Sequence, residues 1–125
     1  MISENIESVK FQDSNMELIN LELSTLKNIL ISDSNLRGAN LKSVSFLDVS
    51  ILNSDMEGAL LTNSKFQNSS LVEVNLKGAN LENADLSGVD LTNSNLEETN
   101  LINTNLSGAK FCNTKMPSGL KNNDC

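Results

Sequence analysis

The chain has no histidine, tryptophan or tyrosine, one proline, two cysteines and four phenylalanines in 125 residues. Without histidine, the commonest general base and zinc ligand is missing. No glycine-rich phosphate loop and no nucleophile motif stands in its place. The carboxylates are scattered along the chain rather than paired. We therefore expect no catalytic residue, no cofactor and no metal. Cations are scarce: 9 Lys and Arg against 16 Asp and Glu leave a net charge of −7. That sign disfavours direct binding to nucleic acid or to an anionic membrane. No stretch is apolar for long enough to span a bilayer. Met1 to Lys10 is polar rather than a secretory leader, which favours the cytoplasm. Aromatics make up 3% of the chain, little for a broad globular core, so whatever core exists must be narrow.

What the chain does have is a period. Leu76 to Leu106 reads LKGAN LENAD LSGVD LTNSN LEETN LINTN L. Counting by fives in both directions, every position from Ile6 to Met116 is Leu, Ile, Phe or Met, and the next step lands on Lys121. Two residues before the large side chain, from Phe11 onward, lies a small or β-branched one, such as Ala39, Val44, Ser54, Val74, Ala79, Ser94 and Thr104. Between them stands Asn or Asp in most repeats, as at Asn75, Asn80, Asp85 and Asp90. Gly, Asn or an acidic residue often follows two places after the large one, as at Gly38, Gly58, Gly78 and Gly108.

A period of five matches neither the 3.6 of a helix nor the 2.0 of a flat strand. It fits a chain that runs a short extended side, turns a corner and repeats, with the large residue and the small one both pointing inward. Asn, Asp and Gly suit the corners because they tolerate turn conformations and bond nearby backbone. A second regularity appears at twenty. The residues after the large position on one side are Glu17, Arg37, Glu57, Lys77 and Glu97, alternating in sign. Phe46 and Phe66 also lie twenty apart. This predicts four repeats per coil, a square cross-section, and stacking of residues n and n+20. The expected fold class is all-β: a quadrilateral β-helix of five to six coils.

The repeats ANLEN, ADLSG, VDLTN and SNLEE, from Ala79 to Glu98, are similar to the Ala-(Asp/Asn)-Leu-X-X pattern of the pentapeptide repeat family, and the resemblance covers nearly the whole chain. It implies a right-handed coil and a structural or protein-binding role without catalysis. The ending from Phe111 to Gly119 resembles the FCNT-x-MPDG tail of cyanobacterial members, with Ser118 where Asp is usual. Some members resemble DNA in shape and charge and bind DNA gyrase.

On this reading residues 1–8 are an ambiguous start, 9–116 the repeat β-helix and 117–125 a cap across the last coil, with Leu120 as its apolar contact. Cys112, at an outward position, and Cys125 either form a disulfide or stay free. A bond would close a loop worth up to about 3 kcal/mol and would point to an oxidising compartment, the periplasm or a thylakoid lumen. Two surfaces are candidates for a protein partner. One is apolar, with Leu52 and Val72 twenty apart and Leu30 nearby. The other is an acidic column, Asp13, Asp33 and Glu73, which would serve the gyrase alternative. An open N-terminal end leaves the choice between a monomer and an end-to-end homodimer.

Overall fold

The computed structural model describes residues 3–118, Leu120 and Cys125; parts of the expected start (Met1, Ile2) and cap (Gly119, residues 121–124) lie outside the described residues. The chain winds into a parallel β-solenoid. Eight three-residue strands form two four-stranded sheets. The odd strands β1 (Asn5–Glu7), β3 (Thr25–Lys27), β5 (Ser45–Leu47) and β7 (Lys65–Gln67) stack as one sheet. The even strands β2 (Lys10–Gln12), β4 (Leu30–Ser32), β6 (Ser50–Leu52) and β8 (Ser70–Val72) stack as the other. Every pairing is parallel with a register of twenty, for example Ile6 with Leu26 and Ile51 with Leu71. Single bridges carry the same register around the remaining two sides and onward to Asn95–Lys115. Residues 5, 25, 45, 65, 85 and 105 thus form one continuous column.

Numbered in chain order around the coil, the four sides centre on Phe46, Ile51, Met56 and Leu61 and their equivalents. These central side chains point inward and fill the core: Phe46 is 1% exposed, and Ile51, Met56 and Leu61 are sealed off. Ala39, Val44, Val74 and Val89 of the small column are buried with them. The Phe46 and Phe66 rings stack with centroids 4.1 Å apart and planes 4° from parallel. The first coil is less enclosed: Ile6, Phe11, Met16, Ile19 and Leu21 are only partly buried.

Each corner has one backbone requirement. Every fifth residue from Ser8 to Asn113 has a positive φ, between 50° and 71°. Glycine takes five of these positions, and Asn, Asp, Ser, Glu and two leucines, Leu18 and Leu23, take the rest. Asn and Asp hold the position just before the core residue for a different reason. The side-chain oxygen of Asn75 accepts the Lys77 N–H at 3.1 Å, and Asn35, Asn80, Asp85, Asp90, Asn95 and Asn105 repeat this bond two residues on. At Lys10, Thr25, Leu30, Ser45, Ser50, Lys65 and Ser70, where that position holds neither Asn nor Asp, the side runs as a regular strand.

Inward hydroxyls link successive coils. Ser94 donates to the Leu71 carbonyl at 2.6 Å and accepts the Val74 N–H at 2.9 Å. Thr104 and Thr114 donate to the carbonyls of Leu81 and Leu91 at 2.7 Å. Buried Ser34 accepts the Ser14 N–H at 3.1 Å. Among the described residues no buried side-chain polar atom lacks a partner. This is how a serine or threonine can occupy a core column.

The C-terminal end departs from expectation in two ways. Cys112, at its outward repeat position, is only 8% exposed, and it is bonded to Cys125 with the Cα atoms 4.4 Å apart. Holding Cys125 against it shields the sulfur that its repeat position would otherwise present to water. Leu120 is 52% exposed and is not an apolar lid; its N–H closes a turn onto the Pro117 carbonyl at 3.1 Å.

Candidate interaction surface

The second side is the even-strand sheet, and its outward residues precede or follow the inward Ile31, Ile51 and Leu71. From β4 to β8 they are Leu30, Ser32, Ser50, Leu52, Ser70 and Val72. None is charged. Over the same coils the other sides carry Lys27 and Lys65; Arg37, Asp55, Glu57 and Lys77; and Lys42 and Glu82. The absence of charge on one side is thus a local property of a chain that is 20% charged.

The apolar candidates are partly brought together. Leu52 and Val72 are directly paired in register, and Leu52 is 39% exposed. Leu30 lies on the opposite edge of the strip, paired with Ser50 rather than with Leu52. Leu18, at 72%, and Ile102, at 58%, are more exposed, but the one stands on another corner and the other on the fourth side.

The acidic candidates stand on one corner. Asp13, Asp33, Asn53 and Glu73 are the positive-φ residues between the second and third sides. They line a shallow groove of about 790 Å³ together with Asn15, Asn35, Asp55 and Asn75. Asn53 donates to the Asp33 carboxylate at 2.6 Å. Asp55, on the far wall, is engaged by Arg37 at 3.1 Å, and the same guanidinium reaches Glu57 at 2.7 Å. Hydrogen bonds to Asp55 and then Glu57 raise the Arg37 pKa above its ordinary value. Of the expected charge column, Arg37–Glu57 closes as a pair; among the described residues the ion pairs are those of Arg37.

One relation was open to the sequence and was missed. Leu52 precedes Asn53 and Val72 precedes Glu73, so the apolar strip and the acidic groove share a border. The signal was their adjacency in the chain, once the residue after the core position is placed on a side and the next on the corner.

Among the described residues no group of His, Cys, Asp and Glu could hold a metal ion, and no helix is long and apolar enough to cross a membrane.

A solenoid whose twenty-residue register, small inward column and Asx-bonded corners recur coil after coil is the architecture of pentapeptide repeats. The family model for pentapeptide repeats matches residues 46–78, 54–93 and 79–116 in eight copies. The chain belongs to the pentapeptide repeat family. Among solved structures it is similar to the pentapeptide repeat protein Rfr23 from the cyanobacterium Cyanothece 51142, at 28% identity and a TM-score of 0.64, covering 90% of this chain and 87% of that one. It is similar in fold to a trypsin-treated form of QnrB1, a plasmid-mediated fluoroquinolone resistance protein, at 15% identity and a TM-score of 0.57, covering 91% and 75%. No curated protein matches the sequence.

Proposed function

We propose that the protein is a non-catalytic scaffold that binds another protein through its second side. The observation that carries this is the uncharged strip from Leu30 to Val72, with Leu52 39% exposed at its centre, on a molecule whose other sides are charged. Partly exposed aliphatic residues in register on a flat sheet are a surface that loses unfavourable hydration when covered. The solenoid is suited to presenting such a strip because its backbone is hydrogen-bonded coil to coil. A photo-crosslinking residue at position 52 should capture a discrete protein in the native cell. The same residue at position 82, on the opposite side, should not. Equal labelling from both positions, or none from 52, would sink the reading.

A second reading has one observation behind it. Asp13, Asp33 and Glu73 line a common groove, as an acidic ligand of a DNA-binding enzyme such as gyrase would need. Arg37 weighs against it, because it offsets one of the two carboxylate charges of Asp55 and Glu57 on the adjoining side. Inhibition of gyrase supercoiling at micromolar protein would support this reading, and its absence would remove it.

A further inference from the structure

We infer that the second side and its acidic corner together form a track for an extended cationic segment of the partner, lying along the solenoid axis. Its aliphatic side chains rest on Leu52 and Val72, and its lysines or arginines reach over the border to Asp13, Asp33 and Glu73. This rests on the reading of the second side as the interaction surface, and it specifies what binds there.

Size excludes a broad folded partner on this side alone. Three-residue strands make a strip about 10 Å wide. Four such strands about 4.8 Å apart give a footprint of about 200 Å², well below the roughly 800 Å² per partner of a stable interface between folded proteins. A single polypeptide segment fits that width.

Charge sets the sign of the segment. The residues lining the groove include no lysine or arginine; Arg37, on the adjoining side, is engaged by Asp55 and Glu57, and Lys10 stands at the far edge of the second side beside Asp48. A second copy of this chain does not fit in an antiparallel arrangement. With the two second sides face to face and the solenoids antiparallel, the Asp13, Asp33 and Glu73 corners meet each other, which places like charges together, and an anionic lipid surface has the same fault. With the solenoids parallel, that corner meets the opposite one, where Lys10 and Lys27 stand beside Asp48, so a dimeric mass of the free protein in solution would overturn the inference.

Spacing sets the pattern. Asp13 and Glu73 are three coils apart, about 14 Å, and in an extended chain residues i and i+4 are about 13 Å apart on one face. Cations at alternate positions therefore run along the groove, and the residues between them point the other way, toward Leu52 and Val72. The recognised segment alternates cationic and aliphatic residues over about seven positions.

The probe is a fluorescent seven-residue peptide of alternating lysine and valine. Its control has the same composition with the lysines and valines in separate blocks. Anisotropy is read against the wild type and three folded double variants, each checked by circular dichroism. We expect the alternating peptide to bind about tenfold more tightly than the blocked one. Leu52→Ser/Val72→Ser should weaken it about fivefold through lost apolar contact. Asp33→Asn/Glu73→Gln should weaken it about fivefold and flatten its salt dependence. Glu82→Gln/Glu97→Gln, on the other sides, should leave it unchanged. Equal affinity for the two peptides, equal loss in the third variant, or no binding of the alternating peptide at millimolar concentration would overturn the inference. A partner that crosslinks at position 52 yet is not displaced by the alternating peptide would overturn it as well, while leaving the scaffold reading in place.

Discussion

At the scale of the residue, the corner decides what each position tolerates. A positive φ costs an ordinary L-residue roughly 1–2 kcal/mol relative to glycine. Gly78 has φ +70 and open space where a Cβ would sit, so Gly78→Ala should lose about 1 kcal/mol through the backbone alone. At Gly38 a Cβ would also lie 2.7 Å from the tip of Leu18. Gly38→Ala should therefore cost more in thermal unfolding, and Leu18→Ala in the same chain should erase the excess. If the two alanine variants melt alike, Leu18 has moved aside freely and the contact is idle.

Hydroxyls in the core give a second test at this scale. Removing the Ser94 hydroxyl strands the Val74 N–H in the interior, a loss of about 1–3 kcal/mol. Ser64 only donates back to Leu61, at 2.7 Å, and that carbonyl already accepts the Ser64 N–H. Ser94→Ala should thus destabilise more than Ser64→Ala in denaturant titrations. Equal losses would mean that the inter-coil bond carries no special weight. Asp85 supplies the pH test. Hydrogen bonds from the Ser87 side chain and backbone hold its pKa below the ordinary 3.8. A depressed carboxylate adds stability above its unfolded pKa and loses it as pH falls through the folded one. The stability advantage of wild type over Asp85→Asn should accordingly shrink below about pH 4. An advantage that grows on acidification would contradict the assignment.

At the scale of the element, the side of a coil has two forms, and their choice shows what was legible. The period of five and the register of twenty could be read directly, because each core position meets the same surroundings in every coil and so tolerates only Leu, Ile, Phe or Met. The turned or extended form of a side was harder. Asn or Asp before the core residue favours the turned form by bonding two residues ahead, yet Asn5 sits in β1, while Leu60 and Lys110 precede turned sides. There the coils above and below impose the form and override the local preference. Cys112 and Leu120 were not legible for another reason: the bond to Cys125 covers the one, and a turn onto Pro117 leaves the other exposed. Of the candidate surface, the apolar and acidic members were legible separately, and their shared border was not drawn. Phe46 and Phe66 test packing between elements. Their rings are in contact, so the Phe46→Leu and Phe66→Leu losses should depart from additivity by about 0.5 kcal/mol or more in a double-mutant cycle, and strict additivity would mean that the stack carries nothing beyond its buried area.

At the scale of the whole molecule, stability is a sum of neighbouring coils rather than the property of one core. The Cys112–Cys125 bond therefore acts on the last coil. Leu120 is 52% exposed and Met116 only partly buried, so the segment the bond ties down adds little apolar burial. Reduction should open residues from 112 onward to hydrogen exchange and leave the coils around Phe46 protected. Loss of protection throughout the chain would show instead that the solenoid unravels from this end.

The register of twenty also constrains how such a chain can change length. One added or deleted repeat of five keeps every large residue inward and costs the core little. Yet it turns everything beyond it by a quarter, so that Leu52 and the residues after it would face where a neighbouring side had faced. An insertion upstream of Asp13 would carry the strip and the groove around together and keep their border. One between Leu52 and Val72 would part them onto different sides of an equally well-packed rod. Length can drift in steps of five without harm to folding, but inside the strip only steps of twenty preserve what it presents.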